Sequence, residues 1–498
     1  MELFTKYNSF SWVLAGLLLG VGFVIPTFWI GGILGIVLCV HLVFTTKSLK
    51  RLVFGSITAW TIKSALALVW FWSVYPIEWL SFDLGRVQLI LIFGYWFTVS
   101  LWLGTGGALF ALSVRKVSTL INKKYVLFGI PFLWLGSEIF GSYIFSLITI
   151  GEGGVITSAF SFGFVGYLLA QHGVLIQLAQ FGGVYVLGVG IVFLSVGLYW
   201  LWYFYTKNLF VSLGALLILF LTGSIGLFSE ISTNNPEQYH VVSIDTSFPT
   251  NLVRTTAGQL SIQQELGRAV EEALLLEPDY ILLPEDASYF DQIQRPAETK
   301  ALFRFQYNNP EVVIVDTGRV EIEGKAYLQS YVYNGRENQV DQSQKRYLVP
   351  QGEFMPVVYV GVLNFFGLDE LTSKIGKDIS FQVGERVNQS DFALTTPGVL
   401  FCFESVSPWG VRTILQERGE VPFIAHPISH AWFHESDILW QNLDSMLRVQ
   451  AVWNQEYIVS AGSHVPGQVI SPNGNIKSPE IILSGDNWTI RQTYIPKK

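Results

Sequence analysis

Seven apolar runs, each close to the length of a membrane crossing, fill the first 230 residues of this 498-residue chain and then stop. A spanning helix needs about 20 mostly apolar residues. The runs fall at roughly 9–25, 27–46, 52–75, 87–112, 125–141, 178–205 and 209–229. The first two are divided only by Pro26, but together they are too long for one crossing, and a proline suits the hairpin between two. Residues 1–230 carry 11 Lys/Arg and 6 Asp/Glu, against 20 and 32 in residues 231–498. The expectation is a polytopic α-helical membrane domain over 1–230 with about seven spans, followed by an acidic soluble domain over 231–498. With half its residues hydrophobic, 14% charged and a net charge of −7, the chain is neither disordered nor a nucleic-acid binder. A cleaved signal peptide is not expected either, since no small-residue cleavage site follows the first run and six more runs do.

The connections alternate in charge. Lys6, then Lys47, Lys50 and Arg51, then Arg115, Lys116, Lys123 and Lys124, then Lys207 fall on one side, whereas Arg86 is the single basic residue on the other, beside Glu78, Asp83, Glu138 and Glu152. By the positive-inside rule the N-terminus is cytoplasmic, and seven crossings deliver residue 230 to the outer face. The soluble half is thus expected outside the cytoplasm. Two charges fall within the spans, Lys63 in the third and Glu138 near the end of the fifth. A charge at bilayer depth is costly unless it snorkels, pairs or serves a cavity, and Glu138 is close enough to an end to be interfacial. The stretch 141–177 is apolar but broken by glycines, which suggests a surface or re-entrant loop able to line a lipid entrance.

Two cysteines, Cys39 and Cys402, lie in different halves and exclude a disulfide framework. Cys39, inside an apolar run, behaves as a small hydrophobe. From His240 the pattern becomes strand–helix alternation: "HVVSID", the amphipathic "LSIQQELGRAVEEALLLE", the buried strand "YILLPED", then "EVVIVDTG". Such alternation indicates one α/β domain, in which sites gather at the carboxyl ends of strands. Three strand ends carry unusual residues. Glu285 closes "YILLP", where desolvation can raise a carboxyl pKa toward that of a general base. Lys345 opens "KRYLVPQGEF", with Glu353 eight residues on. Cys402 ends the strand "VLFC", with Glu404 two residues later, and a strand-end thiol beside a base and a cation is a competent nucleophile for acyl transfer. Taken singly, Glu285 reads sooner as a helix-capping or loop carboxylate, and Lys345 beside Arg346 as an ordinary solvated charge pair.

Taken together, the order Glu, Lys, Cys with those flanks resembles the carbon–nitrogen hydrolase (nitrilase) superfamily. "RYLVPQGEFMP" narrows the resemblance to the apolipoprotein N-acyltransferase branch, whose members carry a polytopic membrane region ahead of the nitrilase-like domain. "PFLWLGSEIF" at 131–140, "LIQLAQFGGVYVLG" at 175–188 and "AWFHES" from Ala431 resemble further patterns of that family. The resemblance implies an αββα sandwich for the soluble half and a bacterial cytoplasmic membrane for the helical half. It implies Glu285 as general base, Lys345 as the cation at the oxyanion, Cys402 as the nucleophile that becomes a thioester, and Glu353 and Glu404 as supporting carboxylates. Phe403, Trp432 and Glu138 are the candidate substrate contacts. The implied reaction moves a fatty acyl chain from a phospholipid donor to the N-terminal amine of a diacylglyceryl-cysteine lipoprotein, by a monomer with no metal and no organic cofactor. The alternative is a membrane-tethered amidase or acyltransferase of the same superfamily acting on another amine or amide.

The chain departs from the family pattern at Leu283, Gln351, Phe403, Ser429 and Trp453, and "PEIILSGDNWTIRQTYIPKK" is too polar for the spanning helix usual there. The 15-residue run "FMPVVYVGVLNFFGL" from Phe354 to Leu368 is too short to span, so it is a core element or an interfacial arm reaching the lipid headgroups. His426, His430 and His434, joined by His464, would suggest zinc if they shared a helix face, but Pro427 interrupts any helix, and "VPFIAHPISHAWF" reads as a strand running into a loop. "GEGG" at 151–154 lacks the strand–turn–helix setting of a phosphate cradle.

Overall fold

A computed structural model describes residues 8–78, 85–152, 154–206, 237–249, 255–292, 311–384 and 395–497, with a few isolated positions between them. In its first half six helices follow one another: α1 (Asn8–Val24), α2 (Trp29–Thr45), α3 (Leu49–Ala67), α4 (Val87–Leu120), α5 (Lys123–Ile148) and α6 (Gly183–Trp200). Among the described residues four segments are long and apolar enough to cross a membrane, Pro26–Thr45, Val87–Leu120, Tyr125–Ile148 and Gly183–Tyr203, and Ser9–Val24 is a shorter apolar helix. The expected span at 52–75 is built of two pieces. Its α-helix stops at Ala67 and the chain tightens into a 3-10 turn over Val69–Val74. The expected seventh span, 209–229, and the boundary at 230 lie outside the described residues.

Small residues let these helices approach closely. A Cβ on Gly107 of α4 would lie 2.5 Å from the Ser56 carbonyl of α3, and one on Gly106 would lie 2.5 Å from the Ser137 carbonyl of α5. Helix α4 therefore nests between α3 and α5. Helix α5 also runs seven residues beyond the expected end at 141, so Glu138 is well inside the helix. Tertiary packing of Phe145 against Phe160 and Val126, Leu127, Ile130 and Trp134 in one core carries the helix through the glycine at 141.

The second half begins with β1 (Gln238–Thr246), α7 (Thr256–Leu274), β2 (Tyr280–Leu282), β3 (Val313–Ile322), β4 (Lys325–Asn334) and β5 (Gln339–Gln344). It continues through α8 (Val357–Phe365), α9 (Asp369–Asp378), β6 (Gly398–Val399), α10 (Gly410–Arg418), β7 (Ile424–Ser429), α11 (Asp437–Asn454) and β8 (Ile458–Ser463). Strands β9 (Val469–Ile470), β10 (Ile476–Lys477), β11 (Glu480–Ser484) and β12 (Trp488–Pro496) complete it. Helix α7 shows why the sequence folds so. Thr255 caps it by accepting the Gly258 N–H at 3.0 Å, and Leu266, Ala269, Val270 and Ala273 line one buried face at helical spacing.

The strands form two sheets. One carries β1, β2 and β3 in parallel with β4, β5 and β12 antiparallel; the other pairs β6, β7 and β8 in parallel. They meet where β1 and β8 pair at the single position Thr246–Ser463. Alternation along the strands sets the layers. Val241, Tyr280, Leu282, Val313 and Val315 point to one core with Phe401, Ala425, Val459 and Ala461 of the second sheet. Their neighbours Val242, Ile281 and Ile314 point away into a core with α7. Ile424 and Ile458 point away on the other side, to α10 and α11. The order is helix, sheet, sheet, helix, so a helical half followed by an αββα sandwich, the architecture expected from the sequence, is borne out.

Candidate active site

Three strand ends of the sandwich converge on one buried point. Glu285 follows β2 across Leu283 and Pro284, Lys345 follows β5, and Cys402 opens a 3-10 turn (Cys402–Val406) after β6. Lys345 Nζ donates to Glu285 Oε1 at 2.8 Å and to Glu353 Oε1 at 2.6 Å, and its side chain is fully buried. Glu353 is held in turn by the Val349 N–H, which donates to its Oε2 at 2.8 Å. A lysine has three N–H donors. Two are engaged by Glu285 and Glu353.

The protonation states follow from this crowding. Burial pushes the Glu285 carboxyl up to about 7; Lys345 opposes the shift and the Glu353 charge adds to it. Burial works against the charge on Lys345, but Glu285 and Glu353 more than offset it and hold the ammonium well above the usual lysine range. Burial, reinforced by the charge of Glu285 and opposed by Lys345, pushes the Cys402 thiol well above its usual value. The resting cysteine is therefore a thiol, and a base is needed to make it a nucleophile. Its Sγ lies 3.7 Å from the Ser429 carbonyl.

Glu404 links two segments of the cluster through backbone N–H groups. Its Oε1 accepts the Arg346 N–H at 2.8 Å and its Oε2 the Phe401 N–H at 3.3 Å, so it ties the lysine segment to the cysteine turn. Thr317 and Arg319 of β3, which sequence patterns did not mark, do the same for the base. Thr317 Oγ1 donates to the Pro284 carbonyl at 3.3 Å and accepts the Asp286 N–H at 2.9 Å. Arg319 Nη2 meets Asp286 Oδ2 at 2.7 Å, where Asp286 has a left-handed φ of 62°. No spacing rule links residues 31 to 33 positions apart, so this turn support is visible only once β2 and β3 pair.

Phe403 stands between two cavities and, with Phe145, Phe160 and Pro350, belongs to the walls of both. One, of about 130 Å³, is lined by Trp70, Tyr95, Met355, Tyr359, Trp432 and Phe433. The other, of about 260 Å³, includes Thr149, Thr157, Arg346, Phe354 and Ser407. Trp432 packs over Gly352, where a Cβ would come within 2.6 Å of the indole, so only glycine fits in that turn. The helical half thus supplies side chains to both cavities through Phe145 and the 141–177 stretch, whose glycine and phenylalanine content signalled a lining loop. The run after Phe354 forms α8, with Val357, Val358, Val362, Phe365 and Phe366 exposed.

Glu138 belongs to α5. It is buried in the helical half, where Lys63 Nζ donates to its Oε1 at 2.9 Å. The histidines do not share a helix face: His426 is in β7, His430 just follows it and His434 has a φ of 43°. Among the described residues no group of three or more His, Cys, Asp or Glu is placed to hold a metal ion.

No protein-family model matches the chain. Three curated proteins, each named apolipoprotein N-acyltransferase, are similar to it. The Aquifex aeolicus protein is 27% identical over 43% of this chain and 45% of its own length. The Geobacter metallireducens protein is 24% identical over 42% and 40%, and the Rhizobium rhizogenes protein 26% identical over 35% and 32%. The matched part spans less than half the length of each relative. Among solved structures, a CN-hydrolase superfamily protein of Xanthomonas campestris is 14% identical, with a TM-score of 0.34 over 52% of this chain and 91% of its own. A glutamine-dependent NAD(+) synthetase of Cytophaga hutchinsonii is 11% identical, with a TM-score of 0.30 over 52% and 43%. The three curated relatives agree with the resemblance drawn from the sequence.

Proposed function

We propose that the chain is a membrane acyltransferase that moves a fatty acyl chain from a phospholipid, through a thioester on Cys402, to the N-terminal amine of a diacylglyceryl-cysteine lipoprotein. The observation that carries this reading is a buried lysine shared by two carboxylates beside a buried thiol whose neighbour Phe403 lines two largely apolar cavities. Glu285, with its carboxyl near 7, takes the thiol proton as Sγ attacks the ester carbonyl. The Lys345 ammonium then stabilises the oxyanion, with Glu353 fixing its direction. Collapse breaks the ester C–O bond, and Glu285 returns its proton to the leaving lysophospholipid oxygen. In the second half-reaction the amine attacks the thioester, Glu285 takes the amine proton, and the C–S bond breaks to give an amide and, on reprotonation, the thiol.

Phe403 and Trp432 border the cavities that would take the lipid chains, and the exposed apolar face of α8 would rest among headgroups. The helical half, seven spans over 1–230 by this reading, holds the sandwich on the extracytoplasmic face of a bacterial cytoplasmic membrane. Purified protein given phospholipid without an amine acceptor should gain one acyl mass on Cys402, removable by hydroxylamine and absent in Cys402→Ala. An adduct that survives Cys402→Ala would place the nucleophile elsewhere. Release of the adduct by a diacylglyceryl-cysteine peptide, and not by water or simple amines, tests the acceptor.

A further inference from the structure

The buried pair Lys63–Glu138 has no part in the chemistry above, yet it stands at the head of a hydrogen-bond relay to the nucleophile turn. Lys63 Nζ donates to Glu138 Oε1 at 2.9 Å and lies 4.4 Å from the Trp60 ring centre. The same Oε1 accepts the N–H of Val165 at 3.1 Å. Val165 opens a buried 3-10 turn (Val165–Leu169), and two residues on the Tyr167 hydroxyl lies 2.8 Å from Ser161 Oγ. Ser161, itself fully buried, donates to the Val406 carbonyl at 2.6 Å. Val406 is the last residue of the turn that Cys402 begins.

The face of α5 supports the relay at successive turns. Glu138 holds Val165, Ser142 donates to the Phe160 carbonyl at 2.6 Å, and Phe145 stacks on Phe160 with ring centres 3.8 Å apart. Residues spaced four and three apart share a helix face, so one stripe of α5 seats the whole 160–167 segment. An ion pair at this depth is expensive to bury, and removing one partner leaves the other uncompensated. What the pair provides here is a fixed acceptor for one backbone N–H of the segment that braces the cysteine turn.

We infer that Glu138 is a positioning residue for Cys402: its side-chain oxygen holds Val165 so that Ser161 braces the Val406 carbonyl and sets the thiol against its base, while Lys63 serves only to balance the buried charge. This rests on Cys402 being the nucleophile. The requirement is for an oxygen acceptor at position 138, not for charge. Lys63→Met with Glu138→Gln keeps that oxygen and removes both charges, whereas Lys63→Met with Glu138→Met removes both.

The test measures two rates on each full-length variant in a Cys39→Ala background: single-turnover acylation by phospholipid and alkylation of Cys402 by iodoacetamide. The Gln pair should stay within about threefold of the parent in both. The Met pair and Ser161→Ala should each lose about tenfold in acylation, as expected for one buried hydrogen bond, with the half-saturating phospholipid concentration unchanged and the alkylation pH profile shifted. Combining them should add no more than about threefold, since residues in one relay are not additive. Near-parental rates for Ser161→Ala, or full additivity, would overturn the inference, and Ser161→Ala decides it if the Met pair does not fold. Absence of any acyl adduct on the parent would fail the proposed function alone, because alkylation still reads the positioning of Cys402.

Discussion

Lys63 in the helical half and Lys345 in the sandwich are both buried and both paired, but Lys63 meets one carboxylate and Lys345 meets two. One positive and one negative charge close on themselves, and the remaining capacity of Glu138 goes to a backbone N–H. Around Lys345, burial lifts the Glu285 carboxyl to about 7, with the Lys345 charge opposing the lift and the second carboxylate, Glu353, adding to it. The lesson is that a buried lysine is not itself a sign of chemistry. A desolvated carboxyl with a second carboxylate beside it leaves a proton exchangeable near neutral pH, and on the proposed function this is what sets the Lys345 cluster apart from the Lys63–Glu138 pair.

The comparison breaks most sharply if both pairs are neutralised. Lys345→Met with Glu285→Gln should give no detectable Cys402 acyl adduct by intact-protein mass spectrometry, whereas Lys63→Met with Glu138→Gln should acylate at near-parental rate. Equal loss in the two would mean that the sites are not different in kind. Lys345→Met alone should slow single-turnover acylation by about 100–1000-fold, the size expected for one donor aimed at an oxyanion. A change of severalfold would reduce it to an ordinary ion pair.

The pH profile sharpens the same point. A raised carboxyl must be ionised to act as base, so acylation should rise with pH through about 7 and fall about tenfold for each unit below it. A stopped-flow acylation profile flat from pH 5 to 7 would remove Glu285 as the base. The smallest effect belongs to Arg346, whose Nη1 meets Glu417 at 2.7 Å with both side chains about a third exposed. Arg346→Gln should change the acylation rate by no more than severalfold, since surface pairs are worth little. The contrast with its neighbour Lys345 then isolates burial as the cause.

Much of the site was legible because each element announces itself locally. Glu285 closes an apolar run, Cys402 ends another, and Lys345 with Glu353 lies in one short motif. Glu138 was harder to read. By spacing it sat near a helix end, but α5 continues to Ile148 because Phe145 packs on Phe160. The third apolar run read as one continuous segment over 52–75, and the structure builds it from α3 and a 3-10 turn that carries Trp70 to Phe433 of the sandwich. Periodicity reports the face a segment offers, not the partner that ends or extends it.

Sequence by itself determined the two-part plan, the strand-end placement of Glu285, Lys345 and Cys402, and the apolar character of the arm now seen as α8. These are properties of residue type and period, which act over a few positions. Only tertiary structure decided that Lys345 stands between Glu285 and Glu353, that Thr317 and Arg319 fix the turn of the base, and that Lys63 pairs with Glu138 across 75 residues. Those relations depend on which strand pairs with which and on glycines that bring α3, α4 and α5 together. Charge balance in a buried cluster is set by distance and desolvation, and neither exists until the chain has folded.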